Sequence, residues 1–107
     1  WATWCDTCRE EMPALEGLFR RSGERFAVIG VSLDEDALKS VPPFAREHKL
    51  TFPLLIADRK VVAGYAVLGL PTAYLIDAEG CIARRWAGAL DVRAVENDIL
   101  TLLDRRP

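Results

Sequence analysis

The stretch that decides the fold is Trp1-Ala2-Thr3-Trp4-Cys5-Asp6-Thr7-Cys8-Arg9-Glu10-Glu11-Met12-Pro13. Its centre is a pair of cysteines at i and i+3, which meet across one helical turn. Leu15, Leu18 and Phe19 then recur at helical spacing. A helix is therefore expected from Asp6 to about Arg21, with Pro13 bending it and Gly23 as its stop. This puts the dithiol at a helix start. There Cys5 lies beside unsatisfied backbone N–H groups and the positive end of the helix dipole, and both favour the thiolate that attacks in exchange. Cys8, one turn in and more covered, can donate S–H to that thiolate, then attack the mixed disulfide and release product. The dipole supplies only about 0.3–1 kcal/mol, or about 2 where partly buried. Direct hydrogen bonds to sulfur must supply any larger lowering from the free thiol value of about 8.5. Asp6 acts in the opposite sense: a carboxylate roughly 6 Å from the sulfur in near-bulk water costs the thiolate about 0.7 kcal/mol. A less stable thiolate means a less stable reduced form, so the Asp6-Thr7 dipeptide favours reducing behaviour.

The whole chain bounds what this pair can be. Three cysteines, two of them close together, do not make a disulfide framework. The pair is a redox centre or half a metal site. Cys81 and His48 would complete a Cys3His zinc set on composition alone. Structural zinc takes its ligands in two close pairs, however, and Cys81 and His48 are isolated from each other, so no metal is expected. His48 reads instead as a surface residue at a helix end, and Cys81 as a small, half-buried strand residue. The chain has 107 residues, a net charge of -2, 50% hydrophobic and 28% charged residues, which suits one domain over 1–107. No stretch approaches the roughly 18 apolar residues of a membrane span. The near-neutral balance argues against nucleic acid as a partner. Arg84-Arg85 and Arg105-Arg106 read as solvated basic pairs.

Beyond the dithiol, helix and strand patterns alternate. Phe26 to Leu33 is a near-continuous apolar run, expected as a strand buried on both faces. Asp34-Glu35-Asp36 opens a second helical stretch to about Lys49, broken or restarted at Pro42-Pro43. Phe52 to Ala57 reads as a strand and Lys60 to Ala66 as a short helix. Thr72 to Asp77 and Cys81 to Trp86 form a hairpin around Ala78-Glu79-Gly80. Asp91 caps a last helix whose apolar face is Val92, Val95, Ile99 and Leu102. The order α-β-α-β-α-β-β-α predicts one α/β domain with a mixed sheet.

The opening string, W-A-x-W-C-x-x-C-R-x-E-x-P, resembles the active-site segment of the thioredoxin superfamily, in its TlpA- and ResA-like branch of thiol–disulfide oxidoreductases. Gly69-Leu70-Pro71-Thr72, followed by Tyr74 to Asp77 and Gly80, is similar to that family's cis-proline loop, strand and hairpin turn. The match runs through essentially the whole chain. It implies a thioredoxin-like fold, a mixed central sheet flanked by helices, with an inserted α/β unit between Leu33 and Ala66. It implies Cys5 as nucleophile, Cys8 as resolving cysteine and Pro71 as a cis-proline facing them, holding the Leu70 backbone open to an extended substrate. Glu11 would lie partly buried under the site, its pKa raised by desolvation, as proton acceptor for Cys8 or electrostatic tuner of both thiols. Trp4 would form an apolar docking rim and Trp1 would pack, with Asp6 and Thr7 beside the substrate. Many members carry proline where Thr7 stands, so rate and potential do not carry over. The family also places a long apolar strand before the W-A-x-W segment, between Phe26–Leu33 and Thr72–Asp77. Here it is absent, which leaves two sheet edges without partners. A late chain start is the expected reason, and a swapped neighbour the alternative.

By resemblance, then, the chain is expected to be a reductase of protein disulfides in the periplasm or another extracytoplasmic compartment. It would work by dithiol exchange with no cofactor beyond a redox-active Cys5–Cys8 disulfide. Its partners would be protein thiols and disulfides, including an apocytochrome awaiting haem, and a membrane thiol carrier as reductant. A monomer with a membrane anchor outside this sequence is expected. The competing readings are a peroxide-reducing relative, a binding module on the thioredoxin surface and a zinc module.

Overall fold

A computed structural model describes residues 1–105; Arg106, of the second basic pair, lies outside the described residues. The element order is α1 (Asp6–Arg20), β1 (Gly30–Ser32), α2 (Ala37–Glu47), β2 (Leu54–Ile56), α3 (Arg59–Gly64), β3 (Thr72–Ile76), β4 (Ile82–Ala87) and α4 (Val92–Asp104). All eight expected elements form, in the expected order. β1 and β2 pair in parallel, with Val31 opposite Leu55, and β3 and β4 pair antiparallel, with Tyr74 opposite Arg85.

The expected single mixed sheet is divided in two. β1–β2 and β3–β4 are separate two-stranded ladders, with no hydrogen bonds between β1 and β3. Between them lies a cleft of about 1080 Å³, lined by Val28 to Val31 on one side and Pro71 to Ile76 on the other. This is where a central strand was expected to be missing. The gap also explains why Phe26–Leu33 is not the long buried strand expected. Only Gly30–Ser32 finds a ladder partner, and Ile29 is 55% exposed. A backbone run without a neighbour to take its N–H and C=O groups does not remain a strand. Trp1 supplies two bonds along the open edge: its amino nitrogen donates to Val31 O at 3.2 Å, and Leu33 N–H donates to Trp1 O at 2.8 Å.

Two helix expectations also change. α2 is continuous through Pro42 and Pro43. Both prolines lie on the exposed face, where the carbonyls they leave unbonded are free to meet water. It starts at Ala37, not Asp34, because Asp34 turns inward and is buried. Leu18, Val95 and Ile99 form one core cluster joining α1 to α4, with Val92 and Leu103 packed on it; Leu102 lines the cleft instead. A second cluster joins α1 to α2 and the β1–β2 pair through Trp1, Cys8, Met12, Val41, Phe44 and Phe52. α1 is thus shared by both cores.

Candidate active site

The dithiol is built by the first turn of α1. Cys5 is its N-cap, with φ -88° and ψ 109°, and Cys5 Sγ accepts the Cys8 N–H at 3.3 Å. A sulfur takes the place that serine or aspartate oxygen fills at most helix starts. The chain reaches this cap through a turn in which Cys5 N–H donates to Ala2 O at 3.2 Å. Cys5 and Cys8 are joined as a disulfide with Cα atoms 5.2 Å apart. Cys8 is 1% exposed, while Cys5 is half-buried. Only the cap sulfur is open to a partner.

The other expected site residues fall around this pair. The Leu70–Pro71 peptide bond is cis. Pro71 is buried and lines the same cleft as Cys8, and Leu70 packs on the cluster that contains Cys8. Trp4 is 66% exposed beside Cys5, whereas Trp1 is buried and packs on Phe44 with ring centroids 5.3 Å apart. Asp6 is exposed and Thr7 half-buried on the first turn. Glu11 is half-buried, lines the cleft and accepts the Leu90 N–H at 2.6 Å. Burial pushes its carboxyl above the ordinary value and outweighs the Leu90 bond, which pulls it down.

Three contributions were not anticipated. The segment Gly88-Ala89-Leu90 ties two site residues together, because Gly88 N–H donates to Pro71 O at 2.8 Å while Leu90 N–H holds Glu11. The Gly88–Ala89 pair before the Asp91 cap was the available signal. Leu68, in the loop leading to Pro71, is 92% exposed and presents an apolar side chain to solvent. Asp34, expected to open a helix, instead reaches Thr3.

The zinc candidates do not join the site. Cys81 is exposed in the β3–β4 turn, not half-buried in a strand, because the β4 ladder begins only at Ile82. His48 caps α2 and stacks on Phe44 at 4.0 Å, half-buried and not on the surface. Among the described residues no group of three His, Cys, Asp or Glu side chains is placed to hold a metal ion.

A cysteine pair capping a helix beside a cis-proline loop, with strand pairs flanked by helices, defines a thioredoxin-like fold. Residues 1–85 match the AhpC/TSA family, and the chain belongs to that family. It is 38% identical over 101 residues to the Thioredoxin-like protein YneN of Bacillus subtilis (strain 168), covering 92% of the chain and 59% of that relative. It is also 38% identical over 104 residues to the Thiol-disulfide oxidoreductase ResA of Oceanobacillus iheyensis, covering 92% of the chain and 54% of the relative. Among solved structures, a thiol:disulfide interchange protein of the thioredoxin family from Chlorobium tepidum TLS superposes with a TM-score of 0.84 at 25% identity, over 95% of the chain and 74% of that structure. The chain therefore spans little more than half the length of these curated relatives.

Proposed function

We propose that the protein is a thiol–disulfide oxidoreductase that reduces disulfides of protein substrates through Cys5 and Cys8. The observation that carries this is the asymmetry of the pair: an open Cys5 sulfur held at a helix start by the Cys8 N–H, and a Cys8 sulfur buried behind it. The names of the relatives, among them a thiol-disulfide oxidoreductase, support the same chemistry. In the reduced enzyme, the Cys5 thiolate attacks one sulfur of the substrate disulfide. The S–S bond breaks, one substrate thiolate leaves, and a mixed disulfide forms. Glu11 takes the Cys8 proton, and the Cys8 thiolate attacks Cys5 Sγ. The second substrate thiolate leaves, and the Cys5–Cys8 disulfide closes. Both electrons have passed to the substrate.

The docking surface in this reading is Trp4, with Asp6 and Thr7 beside the sulfur and the Leu70 backbone opposite, held by Pro71. The reductant is a thiol donor at a membrane, and the compartment is extracytoplasmic. No helix of the described residues is long and apolar enough to cross a membrane. The cysteine disulfide of an apocytochrome, reduced before haem attachment, is the favoured physiological substrate. The test is reduction of insulin disulfides by dithiothreitol, with Cys5→Ser as control. The wild-type chain is expected to accelerate precipitation of the insulin B chain and the variant to give only the uncatalysed rate. Equal rates for the two would overturn the reading.

A further inference from the structure

The feature left unused by this mechanism is a buried carboxylate beyond the end of β1. Asp34 is 8% exposed. Its Oδ1 accepts the Thr3 N–H at 2.9 Å and the Ser32 hydroxyl at 2.7 Å. Its Oδ2 accepts the Thr3 hydroxyl, and the Ser40 hydroxyl lies 3.2 Å away. The Asp34 N–H in turn donates to Ser32 Oγ at 3.0 Å, and Ser32 is fully buried. Two donors of one residue thus grip the two oxygens of one carboxylate, and that residue stands two positions before Cys5. Charge-assisted bonds of this kind are roughly twice as strong as neutral ones. Burial pushes the Asp34 carboxyl up, but the bonds from Thr3, Ser32 and Ser40 outweigh it and hold it below the ordinary carboxylate range.

The geometry points to Asp34 as the positioning residue of the dithiol turn: it clamps Thr3 by N–H and hydroxyl together and so fixes where the Cys5 sulfur stands over Cys8. This rests on the exchange reading of Cys5 and Cys8. The remaining ties on the segment are the Trp1 bonds to the β1 edge and the Cys5–Ala2 turn bond. The first lies before Thr3, and the second closes the turn over the Thr3 and Trp4 backbone; neither holds the Thr3 side chain or anchors that turn to the end of β1. Closing the disulfide depends on the effective concentration of one sulfur at the other, which a loosened turn lowers. If the clamp only added stability, its loss would lower the unfolding midpoint and leave that closing equilibrium unmoved.

The experiment equilibrates the full chain with mixtures of reduced and oxidised glutathione and counts alkylated thiols by mass. Thr3→Val removes the hydroxyl bond and keeps the N–H bond, Asp34→Ala removes both, and Thr3→Ser keeps both. Asp34→Ala is expected to lower the equilibrium constant for closing the disulfide about tenfold, a shift of about 30 mV to less negative potential. Thr3→Val should lower it about threefold, and Thr3→Ser should match the wild type. A constant unchanged in both folded Asp34→Ala and Thr3→Val overturns the proposal. If Asp34→Ala does not fold, the Thr3→Val and Thr3→Ser pair decides it alone. The readout needs no protein substrate, so a shifted constant without insulin reduction would refute the proposed function and leave the clamp standing.

Discussion

Two glutamates on α1, Glu11 half-buried and Glu16 buried, face opposite electrostatic fates. Glu11 has its carboxyl pushed up by burial, so its charged form is disfavoured in the folded protein. The native state then binds its proton more readily than the unfolded chain, and stability falls as pH rises through the folded pKa. Glu11→Gln keeps an acceptor for Leu90 N–H and removes that penalty. Its melting temperature is therefore expected to exceed the wild type at pH 7 and to match it at pH 4, as read by thermal unfolding. The same variant should slow resolution of a mixed disulfide roughly a hundredfold and flatten the pH profile of Cys8 alkylation in the reduced protein. An unchanged profile would remove Glu11 from the proton path. Glu16 is the reverse. Burial pushes it up, but the Thr51 hydroxyl and N–H, Arg20 and the Phe52 N–H outweigh that and hold it at about 2, against an ordinary 4.5. Its contribution is present above that ordinary value and lost as pH falls toward about 2. Glu16→Ala leaves the Thr51 and Phe52 N–H groups unpaired and should cost about 3 kcal/mol in urea unfolding at pH 7. The difference should shrink as the pH is lowered through that window.

At the level of elements, β1 shows how closely the pieces are set. A Cβ on Gly30 would meet Leu54 Cδ2 at 2.8 Å, Phe52 Cε2 at 3.1 Å and Trp1 Nε1 at 3.2 Å. Gly30→Ala is therefore expected to destabilise by about 1–3 kcal/mol through overpacking, seen as a lower urea midpoint. This constraint was invisible in the sequence, because Gly30 sat inside an apolar run and nothing local marked the approach of β2. What was legible had local causes. The Cys5 cap, the Asp91 cap, whose side chain accepts from the Arg93 and Ala94 N–H groups, and the Gly80 turn, at φ 85°, are each written in residues that touch along the chain. What was not legible depended on residues distant in sequence. The length of β1 is set by where β2 stops pairing. The start of α2 is set by Thr3, 31 positions before Asp34. The hold on Glu11 comes from Leu90, 79 positions on. Pattern reading supplies the kind of element, and these long-range partners supply its ends.

Across the whole molecule, the division of the sheet leaves α1 as the member common to both halves. Cys8 and Met12 belong to the cluster over β1–β2, and Leu18 belongs to the cluster with α4. Leu15 packs on both, as does Val28. With no ladder between β1 and β3, cooperativity between the halves passes through side-chain packing and the α1 backbone, with Leu70, next to β3, as a further link to the Cys8 cluster. That makes Leu15 a sharper probe than its half-buried state suggests. Leu15→Ala should cost about 2 kcal/mol, toward the low end for a leucine truncation because the site is only partly enclosed. It should also weaken the coupling. Trp86 reports on the cluster at α4, and Trp1 on the cluster at α2. Urea unfolding followed by the fluorescence of Trp86 alone (Trp1→Phe with Trp4→Phe) and of Trp1 alone (Trp4→Phe with Trp86→Phe) should give coincident transitions. Adding Leu15→Ala should draw them apart, with the α4 side unfolding first, since its cluster has fewer fully buried residues. Transitions that stay coincident would show that Leu15 does not carry the cooperativity.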